Sequence, residues 1–181
     1  MKAIKTNQMP IEIERRFIVK KSDWKFYTEL SEEIKQGYLA SDKEGWTIRV
    51  RITENEKAWI TMKFKSSKIS NYEFEYEIPI DQAEAIFEKT YAKVNKTRYT
   101  LNLPKGNWVV DCFHKENSPL IIAEVEMGSE SEIIQKPNWC EIEITGEYQW
   151  SNASLAKTPI SKWSIKDRLL AKSHRKGHSL L

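Results

Sequence analysis

Between Ile11 and Phe17 the side chains alternate in kind: Glu12, Glu14 and Arg16 share one parity, and Ile11, Ile13 and Phe17 share the other. Successive side chains of a strand point to opposite faces, so this stretch reads as a strand with one ionic face and one oily face. The alternation returns along the chain and predicts strands at Ile11–Val19, Lys35–Ala40, Trp46–Ile52, Ala58–Lys65, Tyr72–Ile78, Asn95–Leu101, Trp108–His114, Leu120–Met127 and Glu141–Thr145. Short polar breaks at Asp42–Gly45, Glu54–Lys57, Pro104–Asn107 and Glu116–Pro119 suit antiparallel hairpins.

Helical signals are fewer. Asp81 with Glu84 ahead of Ala85, Ile86 and Phe87, and Ser129 with Glu132 ahead of Ile133 and Ile134, both have the spacing of a capping box. Further helices are expected at Asp23–Leu30, at Ser151–Ala156, and along Ile160–His174, where Trp163, Ile165, Leu169 and Leu170 recur at helical spacing. Beyond these the chain turns rich in Lys, Arg and His and is expected to fray, with His174, His178 and the earlier His114 on the surface.

The ionic faces carry the functional signal. One parity collects Glu12, Glu14, Arg16, Arg49, Arg51, Lys63, Lys65, Glu73, Glu75, Glu77, Lys96, Arg98, Asp111, Glu124, Glu126, Glu141 and Glu143. Asp111 shares its parity with Val109 and Phe113, so its strand must mix its faces or carry a bulge. For any single segment, a solvated face with cross-strand ion pairs is the plain reading. Taken together the segments exceed what a wetted sheet requires. Either an open sheet or a barrel satisfies the pattern, and the barrel accounts better for rows such as Glu73, Glu75 and Glu77, which would repel in a confined lumen unless cations sat among them. Oxygen ligands suit Mg²⁺ or Mn²⁺, and the Arg and Lys rows suit phosphate oxygens.

Composition sets the remaining bounds. The 181 residues, 40% of them hydrophobic, suit one globular unit. With 29 Lys and Arg against 26 Asp and Glu, the net charge of +3 says little about partners, but the basic residues sit within alternating strands among glutamates and not on a continuous basic face, which disfavours nucleic acid. Cys112 and Cys140 lack disulfide-framework or zinc-ligand spacing, Met1–Pro10 has no signal-peptide apolar core, and no run reaches the ~20 apolar residues of a membrane span. A cytoplasmic protein is expected, with no membrane and no nucleic-acid partner.

In chain order the motifs are Glu12-Ile13-Glu14-Arg15-Arg16, Gln36-Gly37-Tyr38-Leu39, Thr47-Ile48-Arg49-Val50-Arg51, Thr61-Met62-Lys63, Glu73-Phe74-Glu75-Tyr76-Glu77-Ile78-Pro79, Lys96-Thr97-Arg98-Tyr99, Val110-Asp111-Cys112-Phe113, Ala123-Glu124-Val125-Glu126 and Glu143-Ile144-Thr145. In this order the set resembles the CYTH domain, the triphosphate tunnel metalloenzymes. The resemblance implies an α+β fold: a closed eight-stranded antiparallel β-barrel, or tunnel, with a charged lumen and helices packed outside, over residues 10–160, followed by a helical tail at 161–181. It implies hydrolysis of a phosphoanhydride bond by water, with Mg²⁺ or Mn²⁺ as cofactor and a small-molecule triphosphate as partner. By carry-over, Arg16, Arg49, Arg51, Lys63 and Arg98 grip phosphate, while Glu12, Glu14, Glu124 and Glu126 are catalytic and bind metal. Glu75, Asp111 and Glu143 are further metal candidates. Asn71 stands where the family often has Arg and Glu141 where it often has Gly; an Asn71 in the lumen implies one phosphate contact fewer.

Inorganic tripolyphosphate is the first substrate expected, by similarity to bacterial inorganic triphosphatases. The alternatives are a class IV-type adenylyl cyclase, a thiamine or nucleoside triphosphatase on the same scaffold, and a non-catalytic polyphosphate-binding module. A cyclase needs a site for base and ribose that no motif supplies. A binding module would gain nothing from paired carboxylates beside a polyanion. Oligomeric state stays open between monomer and homodimer.

Overall fold

A computed structural model describes residues 9–41 and 45–172. Each alternating segment forms a strand: β1 (Ile11–Val19), β2 (Thr28–Ala40), β3 (Trp46–Thr53), β4 (Ala58–Lys65), β5 (Ser70–Glu77), β6 (Ala92–Leu101), β7 (Asn107–Phe113), β8 (Ile121–Glu126) and β9 (Cys140–Glu143). The strands pair in the order β5-β4-β3-β2-β6-β7-β8-β1, and β5 also pairs with β1, so eight strands close into an antiparallel barrel. Closure leaves no long sheet edge exposed.

Closure depends on how β1 divides its edges. One edge takes β8, from Glu14 opposite Glu126 to Ile18 opposite Ile122. The other is shared: Ile11–Ile13 pair with β5, and Phe17 and Val19 pair with β9, which stays outside the ring. This explains Arg15, the charge within the oily parity of β1, whose Nε and Nη2 donate to Glu143 on β9 at 2.9 and 2.6 Å.

Three apolar clusters hold the barrel. Outside β1, β7 and β8, Phe17, Trp108, Val110, Ala123 and Val125 pack with Trp24, Met127, Ile134 and Trp139. Outside β3, Val50 and Ile52 meet helix α1 (Ile80–Lys89) through Ala83, Ile86 and Phe87. The third cluster lies on the inner face. Ile18, Ile122, Phe113, Val94 and Ala92 share parity with the lumen charges, yet pack with Tyr38, Leu120, Ile144, Trp150 and helix α2 (Asn152–Lys157). The lumen is therefore ionic along part of its length and apolar at one end, and β7 mixes its inner face without a bulge.

Two expected helices are absent. Asp23–Tyr27 forms only a 3-10 turn, because Trp24 alone of its apolar residues is buried while Phe26 is 89% exposed; Thr28–Leu30 instead join β2 by pairing with β6. The Ser129–Ile134 segment stays in turns and extended chain: Glu132 accepts from the Gly128 N–H at 2.6 Å, and the adjacent Ile133 and Ile134 separate into solvent and core. Asp81 lies in the first turn of α1, whose N-cap is Pro79, whereas Ser151 caps α2 by accepting from the Ser154 N–H at 3.1 Å. A helix α3 (Ile165–Lys172) follows; residues 173–181, with His174 and His178, lie outside the described residues, as do 1–8 and the 42–44 part of the first hairpin turn.

Candidate active site

Register brings charges from distant motifs onto one inner ring. Tyr38 lies opposite Arg49, Arg49 opposite Thr61, Thr61 opposite Glu75, and Lys63 opposite Glu73. On the other wall Arg98 lies opposite Asp111, and Arg16 opposite Glu124. Of these, Arg16, Tyr38, Arg49, Thr61, Lys63, Arg98 and Glu124 line a cavity of about 200 Å³, with Glu73, Glu75 and Asp111 behind them.

The charges divide into two groups. On the acidic side Lys63 is shared by three carboxylates: its Nζ donates to Glu12, and Glu14 and Glu73 lie at 3.6 and 3.3 Å. Arg49 approaches Glu73 at 3.8 Å. Burial, with Glu14 and Glu73 adding repulsion, pushes the Glu12 carboxyl up to about 7 even though Lys63 opposes the shift. Burial works against the Lys63 charge, but Glu14, Glu12 and Glu73 outweigh it and raise its pKa. The buried Glu73 Oε2 has only the shared Lys63 ammonium, 3.3 Å away, beside it. The group is short of positive charge.

The basic side has the opposite imbalance. Asp111 and Lys96 are both 0% exposed; Lys96 Nζ donates to Asp111 at 2.5 Å, and Arg98 adds a two-pronged contact at 2.8 and 2.7 Å. Arg98 also donates to Glu124 at 2.6 Å, and Arg16 Nε donates to the other Glu124 oxygen at 3.0 Å. Burial alone would raise the Glu124 pKa; Arg16, Arg98, Lys96 and Lys63 outweigh it and hold this carboxylate ionised far into acid. Burial and the neighbouring Arg98 bring Lys96 down to about 8.

Three guanidinium nitrogens of the expected phosphate-grippers, Arg16 Nη2, Arg49 Nε and Arg51 Nε, are buried without a hydrogen-bond partner. An unsatisfied buried donor is costly, so such groups mark where an acceptor belongs. The side chains around the cavity carry six Arg and Lys, namely Arg16, Arg49, Lys63, Lys65, Lys68 and Arg98, against four carboxylates, namely Glu12, Glu14, Glu124 and Glu147. This balance suits a polyanion arriving with a metal.

The expected residues are not all gathered here. Glu12, Glu14, Arg16, Arg49, Lys63, Arg98 and Glu124 line the cavity. Arg51 is next to it, donating to Glu75 at 2.7 Å with its guanidinium 4.8 Å from the Trp59 ring centroid. Glu75 also accepts from Thr61 at 2.8 Å. Asp111 is enclosed between Lys96 and Arg98, Glu143 pairs with Arg15 on β9, and Glu126 is exposed opposite Glu14. Asn71 does face the cavity.

Glu73, Thr61, Tyr38 and Lys68 enter the site without having been assigned a role. Parity marked Glu73, and Tyr38 lay in a quoted motif; nothing in strand periodicity points to Lys68, which comes from the β4–β5 turn, or to the 145–153 segment over one end of the cavity. That approach is tight: a Cβ on Gly146, at φ +73°, would meet the Lys68 carbonyl at 2.8 Å.

Among the described residues, no three His, Cys, Asp or Glu side chains converge tightly enough to hold a metal alone. Mg²⁺ does not require that, since it takes one or two carboxylates and completes its shell with waters and substrate phosphates. The all-oxygen acidic group, in which Glu12, Glu14 and Glu73 share the one ammonium of Lys63, fits such an ion.

The CYTH domain family profile matches residues 10–158. The chain is 38% identical over 156 residues to an inorganic triphosphatase of Acetivibrio thermocellus, covering 84% of this chain and 97% of that relative. The crystal structure of the inorganic triphosphatase NE1496 is similar at a TM-score of 0.59 and 30% identity, over 80% of this chain and 93% of that one. HpAC1 from Hippeastrum, an adenylyl cyclase candidate with a dominant triphosphatase activity, shares the fold at a TM-score of 0.52, with 12% identity over 65% of this chain and 80% of its own.

Proposed function

This chain belongs to the CYTH domain family, and on that premise we propose that it is a metal-dependent hydrolase of triphosphates with inorganic tripolyphosphate as substrate. The observation that carries this reading is the set of buried guanidinium nitrogens of Arg16, Arg49 and Arg51 that lack a hydrogen-bond partner, in and beside a lumen where three carboxylates share one lysine.

Arg16, Arg49 and Arg98, with Lys63, bind the phosphate oxygens; Arg51 is held by Glu75 at the margin of the same wall. Glu124 orients Arg16 and Arg98, and Asp111 holds Arg98 from behind. Glu12 and Glu14, joined by Glu73 and bordered by Glu126, would hold the ion, Mg²⁺ or Mn²⁺. When bound, such an ion neutralises phosphate charge and acidifies a bound water. The deprotonated Glu12 or Glu14 accepts the proton of a water aligned with the terminal P–O bond. The basic wall stabilises the charge that develops on the departing phosphate. A cytoplasmic setting suits the two free thiols, Cys112 and Cys140.

Arg49→Ala tests the phosphate role. Losing one charge-assisted contact, about 1.5–3 kcal/mol, should raise KM for tripolyphosphate roughly 10- to 100-fold with the fold intact. An unchanged KM would remove Arg49 from the binding wall.

A further inference from the structure

Lys68 reaches the cavity from the turn between β4 and β5, and that turn is built to hold one conformation. The Ser70 carbonyl accepts from the Ser66 and Ser67 N–H groups at 2.9 and 3.0 Å, and Ser67 Oγ accepts from the Ser70 N–H at 3.1 Å. The Ile69 carbonyl accepts from the Glu14 N–H at 2.9 Å, which ties the turn to β1, and the Ser67 and Ser70 hydroxyls both donate to Glu130. The Lys68 stem is seated as well. A Cβ on Gly146 would meet Lys68 Cγ at 2.7 Å and the Lys68 carbonyl at 2.8 Å, so the turn after β9 lies directly against this residue. That second turn is anchored in its own right: Thr145 Oγ1 accepts from the Arg16 N–H at 3.1 Å, and the Arg16 carbonyl accepts from the Ile144 N–H at 2.9 Å. Lys68 therefore stands at the covered end of the lumen, against a segment bonded to the backbone of a phosphate-binding arginine.

Its charge is uncommitted. Among the described residues the Lys68 ammonium makes no ion pair or hydrogen bond, and Glu147 lines the same cavity without pairing to it. Glu143 is held below the ordinary carboxylate range chiefly by Arg15, which grips both its oxygens, and only to a lesser degree by Lys68. On β5 the lumen position opposite Lys65 is the neutral Asn71, so no strand cation duplicates Lys68 there. We infer that Lys68 is a specificity-determining residue that takes the terminal phosphate at the covered end of the lumen and so sets the preference for three linked phosphates over two. The inference rests on the triphosphatase reading above. A diphosphate held by Arg16, Arg49 and Arg98 leaves Lys68 unfilled, whereas a third phosphate brings acceptor oxygens to it. A lysine ordinarily loses rotamer freedom when it grips an anion; here the pinned turn and the Gly146 contact have already restricted the stem, which makes the contact more favourable.

KM for tripolyphosphate with Mg²⁺ or Mn²⁺, together with calorimetric affinities of the full chain for tripolyphosphate and pyrophosphate in EDTA, where turnover is arrested, tests this role. Lys68→Met keeps the stem and removes the charge. It should raise KM about 5- to 20-fold, more than it lowers kcat, and weaken tripolyphosphate binding by a similar factor while changing pyrophosphate affinity less than about 2-fold. Lys68→Arg, which restores the charge, should stay within about 3-fold of wild type for tripolyphosphate. A Lys68→Met protein that binds and cleaves tripolyphosphate like wild type overturns the inference and leaves the triphosphatase reading standing, and so does equal weakening of both ligands. A wild-type chain that neither binds nor cleaves tripolyphosphate overturns both.

Discussion

Asp111 is the residue whose sequence reading and structural role differ most instructively. Its parity promised a lumen carboxylate, and it is one, but Lys96 and Arg98 occupy both its oxygens in a fully buried position. No pattern along a single strand reveals the partners that register brings from its neighbour, so parity could place the residue without showing what it holds. Asp111→Asn leaves the buried Lys96 without its ion-pair partner, while Arg98 keeps Glu124, and should destabilise the protein by about 3–5 kcal/mol, read as a fall in Tm. A Tm within error of wild type would show that the pairing carries no stability. Glu12 provides a second test at this scale. Its carboxyl titrates near 7 in the fold against an ordinary 4.5, so between these pH values the folded state holds a proton that the unfolded state has released. Its stabilising contribution is complete below 4.5 and is lost as pH rises through 7, an effect of about 1–3 kcal/mol. In EDTA, Tm of wild type should fall across that window more steeply than Tm of Glu12→Gln; parallel curves would contradict the burial that raises this carboxyl.

Elements were legible in proportion to how strongly one face differed from the other. Eight of the nine strands begin within about three residues of their expected starts because their alternation is strong, and helix boundaries drift on a similar scale. Strand β2 begins at Thr28, well before the expected Lys35, because Glu29, Leu30 and Glu32 lie where β2 has β6 but not β3 beside it, and a strand paired on one side imposes little alternation. The Ser129–Glu132 spacing misled because a glutamate can bond a nearby N–H as readily in a turn as at a helix start. How α1 docks was also illegible, since it depends on an absent side chain. A Cβ on Gly37 would stand 2.4 Å from Thr90 Oγ1 and 3.0 Å from Phe87 Cδ2. Gly37→Ala should therefore destabilise by about 1–3 kcal/mol, and adding Thr90→Ala should recover part of that loss. Purely additive losses in the double variant would show that the two residues do not meet.

At the scale of the whole molecule, the ordered motifs carried the barrel and the family, since one closed lumen accommodates most of the ionic segments more economically than separate wetted faces, with β9 alone left outside the ring. What they could not convey was the lumen's lengthwise change from ionic to apolar, because Ile18, Ile122 and Phe113 keep the parity of the charged set while packing against Trp150 and α2. That plug leaves the acidic and basic walls facing each other over a short cavity, where a triphosphate and a metal would satisfy both. Phosphate release from tripolyphosphate, with Mg²⁺ or Mn²⁺ and with EDTA, measured beside ATP and thiamine triphosphate with cyclic AMP followed in parallel, tests this account most directly. The expected result is rapid metal-dependent cleavage of tripolyphosphate that EDTA abolishes, with the other two substrates slower and no cyclic AMP formed. Tripolyphosphate that binds without being cleaved under any metal, or ATP converted chiefly to cyclic AMP, would contradict it.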